Sequence, residues 1–338
     1  MDDRYLELAK RIGMGDSERI PKLFSMLADE AEADLLLALP ADVPTLAEKL
    51  DRSEDETRQM IQNLFVKGMV FPSFKTDPIT YRMCRDLIQF HDATILWPDA
   101  PREFLDLWQE WTEVEWPAIA KTMSEILPKP GMRIIPVGIT IEAQGQILAF
   151  EDVKDIIENA KKLAVTNCTC RLIAKKCDRP VEVCLQVNNA ASYALARGTG
   201  REVTREEALD IIRQSEEAGL MHATFNQKSV DHVICNCCGC CCQFMPVLIK
   251  YGTNVVDPSR FQAEIDPELC DGCEVCTERC YVDAIEMVPR EDVEENQYGL
   301  VITDKCLGCG ICQVTCPTEA ISLIEVRDES HVPDKFFA

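Results

Sequence analysis

Two cysteine runs close the chain, Cys270, Cys273, Cys276, Cys280 and then Cys306, Cys309, Cys312, Cys316 followed by Pro317. Each reads C-x-x-C-x-x-C-x-x-x-C, a spacing that commits a segment to wrapping metal rather than to building an ordinary apolar core. Three thiolates two residues apart can wrap a tight loop around one cubane while backbone N–H groups point at its sulfurs. The fourth cysteine is expected on the short helix that follows. Disulfides would need an oxidising compartment, and the N-terminal MDDRYLELAK has neither a basic stretch nor an apolar one, so a cytoplasmic location is expected. Structural zinc usually takes paired C-x-x-C knuckles with a longer spacer, which is not this pattern.

The doubled array resembles the two-cluster bacterial ferredoxins over residues 261–338. In that family the fourth cysteine of each run crosses to the other cluster. The resemblance therefore implies one 4Fe-4S cluster on Cys270, Cys273, Cys276 and Cys316, and another on Cys306, Cys309, Cys312 and Cys280. The second run has the family's proline at Pro317, whereas the first has Tyr281 at that place.

With 338 residues, 46% of them hydrophobic, the chain can bury sizeable cores in two or three domains. No run approaches eighteen apolar residues, so no membrane span is expected. The net charge of −23 argues against nucleic acid as a main partner. From residue 261 onward 18 Asp and Glu stand against 5 Lys and Arg, so more than half of the excess acidity lies on this tail. Such a tail suits a redox protein or oxidoreductase complex with a basic docking patch; acidity that merely maintains solubility is the alternative.

The expected architecture is α+β and multidomain. Residues 1–80 form a helical module with winged-helix resemblance, residues 81–260 a mixed α/β cysteine-rich domain, and residues 261–338 the ferredoxin-like dicluster domain. In the first module, Ser53 with Glu56 reads as a capping box, and Met60, Ile61, Leu64 and Phe65 recur at helical spacing up to Gly68. The exposed positions of that helix, Glu54, Asp55, Glu56, Arg58 and Gln59, are mostly acidic, which favours packing or partner docking over DNA reading. All four tryptophans, Trp97, Trp108, Trp111 and Trp116, fall in one helical stretch and are expected in the core. Strands are expected over 132–141, 146–150 and 164–166, and helices from Glu151 to Leu163 and after a second capping box at Thr204 and Glu207, closing at Gly219.

Of the 19 cysteines, Cys84 stands alone and reads as a small buried hydrophobe. The remaining ten fall in two groups: Cys168, Cys170, Cys177, Cys184, and Cys235, Cys237, Cys238, Cys240, Cys241, Cys242. So many reduced thiols invite oxidation unless they bind metal, and four soft thiolates suit iron–sulfur or zinc. At least one further iron–sulfur centre is expected, with zinc as the alternative. Cys168, Cys170, Cys177 and Cys184 form the favoured first set. An extended 235–242 run would turn Cys238, Cys240 and Cys242 one way and Cys235, Cys237 and Cys241 the other. NCTCR at 167–171, GLMH at 219–222 and CNCCGCCC at 235–242 resemble a group of anaerobe iron–sulfur proteins with a C-terminal ferredoxin domain, a likeness that implies metal binding without naming a substrate. His222 and His232 are expected to be core or surface residues rather than ligands, and Arg171 to be an ordinary loop arginine or a counter-charge to a cluster.

Neither G-x-G-x-x-G nor G-x-x-x-x-G-K-[ST] occurs, so nucleotide binding by those routes is not indicated. The pattern points first to electron transfer through two 4Fe-4S clusters. A reductase fed by the tail, with an atypical cluster at Cys235–Cys242, comes second, and a redox-sensing transcription regulator third. No residue is marked out as catalytic.

Overall fold

The computed structural model describes residues 1–73, 76–137, 151–290 and 293–335, with 293–296 described by backbone alone. The chain divides into two compact units. One holds residues 1–117 with 172–174 and 196–199, and the other holds the rest.

The first unit begins with helices α1 (Asp3–Arg11), α2 (Ile20–Leu27), α3 (Glu30–Ala38), α4 (Val43–Leu50) and α5 (Glu54–Val66). Hairpin strands β1 (Val70–Ser73) and β2 (Thr80–Met83) follow, then α6 (Leu87–Ile95) and α7 (Arg102–Val114). The expected box at α5 is present in both directions: Glu56 N donates to Ser53 Oγ at 3.3 Å and Ser53 N to Glu56 Oε2 at 3.0 Å. A second box, Asp29 with Glu32, starts α3. Gly68 ends the α5 pattern at φ +86, where the backbone of Ala93 leaves no room for a Cβ. Three tryptophans are core: Trp108 and Trp111 meet edge to face at 5.6 Å, and Trp111 and Trp116 lie 5.9 Å apart. Trp97 lies beyond α6 and is half-buried. Cys84 is buried, and burial pushes its thiol well up, as suits an inert core residue.

The second unit is built on a seven-stranded sheet. After α8 (Trp116–Ile126), β3 (Met132–Ile135) precedes α9 (Val153–Asn159), β4 (Leu163–Asn167), α10 (Thr169–Ala174), β5 (Glu182–Val187) and α11 (Asn189–Arg197). There follow β6 (Gly200–Glu202), α12 (Arg205–Glu217), β7 (Met221–Phe225), β8 (Val233–Cys237), α13 (Met245–Tyr251) and β9 (Val256–Asp257). The strand order is β6-β4-β5-β8-β7-β3-β9, antiparallel throughout except β3 with β9. One sheet face carries Val165, Leu185, Val187, Ile234 and Ile135, which pack with Ile156 and Ile157 of α9 and Ala208 and Ile212 of α12. Residues one position along each strand therefore face the other way.

Of the strand expected over 132–141, β3 covers the first four residues, and 138–141 lie outside the described residues, as does the strand expected over 146–150. The helix expected to reach Leu163 stops at Asn159, because Leu163 and Val165 are needed in the sheet core. At Thr204 only half a box forms: its Oγ1 accepts from Glu207 N at 3.1 Å, while the Glu207 carboxylate pairs with Arg201.

The tail contains β10 (Phe261–Ile265), α14 (Val275–Arg279), β11 (Ile285–Arg290), β12 (Val293–Val301), α15 (Ile311–Val314) and β13 (Ile321–Glu325). β10 pairs with β13 and β11 with β12, both antiparallel. Phe261, Ala263, Ile285, Ile321 and Leu323 join Cys276 and Cys312 in one small core. No helix among the described residues is long and apolar enough to cross a membrane.

Candidate metal centres

The tail repeats its backbone as well as its cysteines. Left-handed residues recur at matching places: Gly272 at φ +75 with Gly308 at +63, Glu274 at +64 with Gly310 at +79, and Asp283 at +49 with Glu319 at +55. These turns curl each C-x-x-C-x-x-C stretch around a hollow. A Cβ on Gly308 would stand 2.0 Å from Phe261 O, and one on Gly272 2.6 Å from Gln297 O, so neither loop could close over a side chain there. The third cysteine of each run lies within the short helix, Cys276 in α14 and Cys312 in α15, and the fourth just beyond its end rather than on it. Each fourth thiol accepts a backbone N–H four residues on, Cys280 Sγ from Ala284 at 3.2 Å and Cys316 Sγ from Ala320 at 3.3 Å.

Two cavities result. One is lined by Cys270, Cys273, Cys276 and Cys316, with Ile265 and Met287 among its apolar walls. The other is lined by Cys280, Cys306, Cys309 and Cys312, with Leu307 and Ile311. Each cavity thus draws three thiols from one run and the fourth from the other. Burial pushes Cys276 up to about 11 and Cys309 up to about 12, so these thiols shed their protons readily only to metal. The donor set, apolar walls and N–H···S bonds all fit an iron–sulfur cluster.

Residues 269–320 match the family model of the 4Fe-4S dicluster domain. The tail is a ferredoxin-like iron–sulfur domain. No curated protein and no solved structure matches the chain.

Tyr281, which stands where the dicluster domain's second run has Pro317, has a structural reason. Its ring covers Gly239, where a Cβ would lie 2.7 Å from Cδ1, and its hydroxyl donates to Gly219 O at 2.6 Å. The Arg179 guanidinium lies 5.6 Å from the ring centroid. Proline could make neither the hydrogen bond nor the aromatic contact. The residue following cavity-lining Cys280 is thereby packed onto the cysteine-rich loop of the middle region.

The ten middle cysteines separate into a four and a six, in a different grouping from the expected one. Cys177 leaves Cys168, Cys170 and Cys184 and joins Cys238, Cys240 and Cys241, because β8 ends at Cys237 and the chain then turns, so strand alternation does not extend past that point. All four Sγ atoms lie within 4.8 Å of one another. The separations are 3.9 Å for Cys177–Cys238, 3.7 Å for Cys177–Cys241, 3.7 Å for Cys240–Cys238 and 3.8 Å for Cys240–Cys241. A tetrahedral ion with metal–sulfur bonds of about 2.3 Å places its thiolates about 3.8 Å apart. A cubane attaches each thiolate to a different iron corner, which splays them much farther. Among the described residues this is the one group of metal-ligating side chains so close together; the tail's thiols are not.

Electrostatics suit a charged centre here. Burial would push the Cys177 thiol up, but hydrogen bonds from the Arg179 backbone and from neighbouring thiols bring it to about 7. Arg171, buried, donates from Nη1 to Cys238 Sγ at 3.5 Å and from Nη2 to Asn236 O at 2.7 Å. Burial opposes its charge, yet Cys168, Cys238 and Cys184 outweigh that and raise its pKa. It is therefore a counter-charge held in the interior rather than a loop arginine.

The other six are Cys168, Cys170, Cys184, Cys235, Cys237 and Cys242, of which Cys184 lies on β5 and Cys235 and Cys237 on β8. His222 faces away from them: its ring nitrogens lie 2.6 Å from Asn236 Oδ1 and 3.1 Å from Glu216 Oε1, so neither is open to a metal. His232 packs edge to face on Phe225 at 5.6 Å.

Proposed function

We propose that this chain is an iron–sulfur electron-transfer protein whose tail carries two 4Fe-4S clusters, one on Cys270, Cys273, Cys276 and Cys316 and the other on Cys306, Cys309, Cys312 and Cys280. The observation that carries this reading is the pair of cavities, each lined by one of these crossed sets of four thiols. In such a protein the chain fixes the distance between clusters, tunes them by N–H···S bonds and burial, and docks a partner oxidoreductase. The acidic tail suits a basic docking patch on that partner, with an association rate that falls as salt rises. Reductive titration followed by electron paramagnetic resonance tests it: two interacting centres are expected in the full chain, and Cys273→Ser should perturb one and spare the other. A reduced chain with no such signals would refute it.

The four-thiol site is read as holding a single ion, zinc or iron, by its short sulfur separations. The Tyr281 contact with Gly239 supports a second reading, in which the tail feeds electrons to the middle region and the chain is a component of a reductase. Regulation through DNA is disfavoured by α5, where Arg58 is held by Glu54 at 2.5 Å on a mostly acidic exposed face.

A further inference from the structure

Tyr281 stands between two groups of thiols. Its chain neighbour Cys280 lines the second tail cavity, and Tyr281 is itself part of that cavity's wall. Its ring lies on Gly239, where a Cβ would come 2.7 Å from Cδ1 and 3.0 Å from Cγ of the tyrosine. Gly239 sits between Cys238 and Cys240, both members of the four-thiol group. The ring therefore packs on backbone that carries two of that group's sulfurs. A second segment converges on it: the Arg179 guanidinium stands 5.6 Å from the ring centroid, two residues along the chain from Cys177.

Met221 repeats the connection. It lines the second cavity, and in the β7–β8 ladder it pairs with Cys237, the residue before Cys238. The lining of the first cavity, by contrast, comes wholly from the tail, between Ile265 and Ile321. Of the two cavities, the second is the one whose wall residues reach the cysteine-rich loop.

The sulfur separations of the four-thiol group suit one tetrahedral ion, and its donors are all soft sulfur. Zinc and iron both fit, but zinc has no redox chemistry and gains nothing from contact with a cluster cavity. The surrounding charge sets a direction for electrons. With four thiolates a ferrous ion carries two negative charges and a ferric ion one. Buried Arg171, which donates to Cys238 Sγ at 3.5 Å, favours the more negative, reduced form.

We infer that Cys177, Cys238, Cys240 and Cys241 hold a redox-active iron ion, and that Tyr281 couples it to the cluster of Cys280, Cys306, Cys309 and Cys312. The reduced cluster is oxidised by one electron and the ferric ion is reduced to ferrous; no proton moves and no bond breaks. The donor that reloads the tail is the partner oxidoreductase of the electron-transfer reading, on which this inference rests.

The test is iron, acid-labile sulfide and zinc analysis of the anaerobically purified full chain, then freeze-quenched electron paramagnetic resonance during reduction by reduced methyl viologen. In the native chain one equivalent of iron should be sulfide-free, with a high-spin ferric signal that disappears as the tail is reduced. Cys240→Ser should lose that signal and that iron while the tail signals persist. Tyr281→Phe keeps the ring and should keep the native rate of ferric loss, whereas Tyr281→Leu should slow it severalfold. Zinc in place of the sulfide-free iron, or equal rates in the two tyrosine variants, overturns the inference. Should Tyr281→Leu misfold, magnetic coupling decides: the reduced second cluster should relax faster in the native chain than in Cys240→Ser, and equal relaxation overturns the inference. Intact tail signals without a sulfide-free iron refute this inference alone; absent tail signals refute the electron-transfer reading and this inference with it.

Discussion

Cys237 and Cys238 are neighbours in the chain, yet Cys238 belongs to the four-thiol group and Cys237, the last residue of β8, does not. Cys241 and Cys242 divide in the same way, Cys241 within the group and Cys242 outside it. The 235–242 stretch therefore contributes only half of its six cysteines to that group.

The four-thiol site should be separable by its stoichiometry. Cys240→Ser is expected to lose one equivalent of metal and no acid-labile sulfide, since a single ion brings none. Parallel metal and sulfide assays on native and variant chains check this, and a matched loss of sulfide would show a cluster there instead.

Arg171→Met removes a buried cation that touches Cys238 and the Asn236 carbonyl. Groups that orient and neutralise metal ligands typically contribute about 10–100-fold in metal affinity, and a loss of that size is expected here. Metal release to a chelator measures it. Arg171→Lys should not restore retention, because an ammonium cannot span both partners in the guanidinium's planar geometry.

Gly239→Ala would press a methyl group into the Tyr281 ring, and overpacking of this kind costs about 1–3 kcal/mol. Tyr281→Phe keeps the ring but drops the 2.6 Å bond to Gly219 O, a loss of about 1 kcal/mol. Denaturant unfolding under anaerobic conditions should rank the two in that order, with tail cluster signals retained in both. Equal stability of the glycine variant and the native chain would mean that Tyr281 is free to swing away.

In the first unit, Ser53→Ala should cost about 1 kcal/mol through the lost cap. Trp108→Ala should cost about 3–5 kcal/mol, nearly all of it packing, because the buried indole N–H has no hydrogen-bond partner among the described residues. Thermal or urea unfolding resolves both.

The tail's iron–sulfur domain was legible because it rests on local, repeated spacing, and the two hollows are lined by Cys316 with the first run and Cys280 with the second, the grouping that the family resemblance implies. The middle thiols were not, because their partners are set by strand register and by one turn. Nothing in the spacing of Cys168, Cys170, Cys177 and Cys184 reveals that Cys177 lies with the 238–241 turn while the other three lie outside that group. Alternation gave a correct guide for Cys235 and Cys237, which are in β8, and failed beyond, where the strand stops. Tyr281 read as a departure from a pattern, and its purpose became visible only once Gly239 stood beneath it.

The turn after β8 leaves the 238–241 stretch without slack. Inserting or deleting one residue between Cys238 and Cys241 would carry the later thiols away from Cys177, and the four-thiol group would lose its short separations. The length of this turn is therefore as much a part of the site as the thiols themselves.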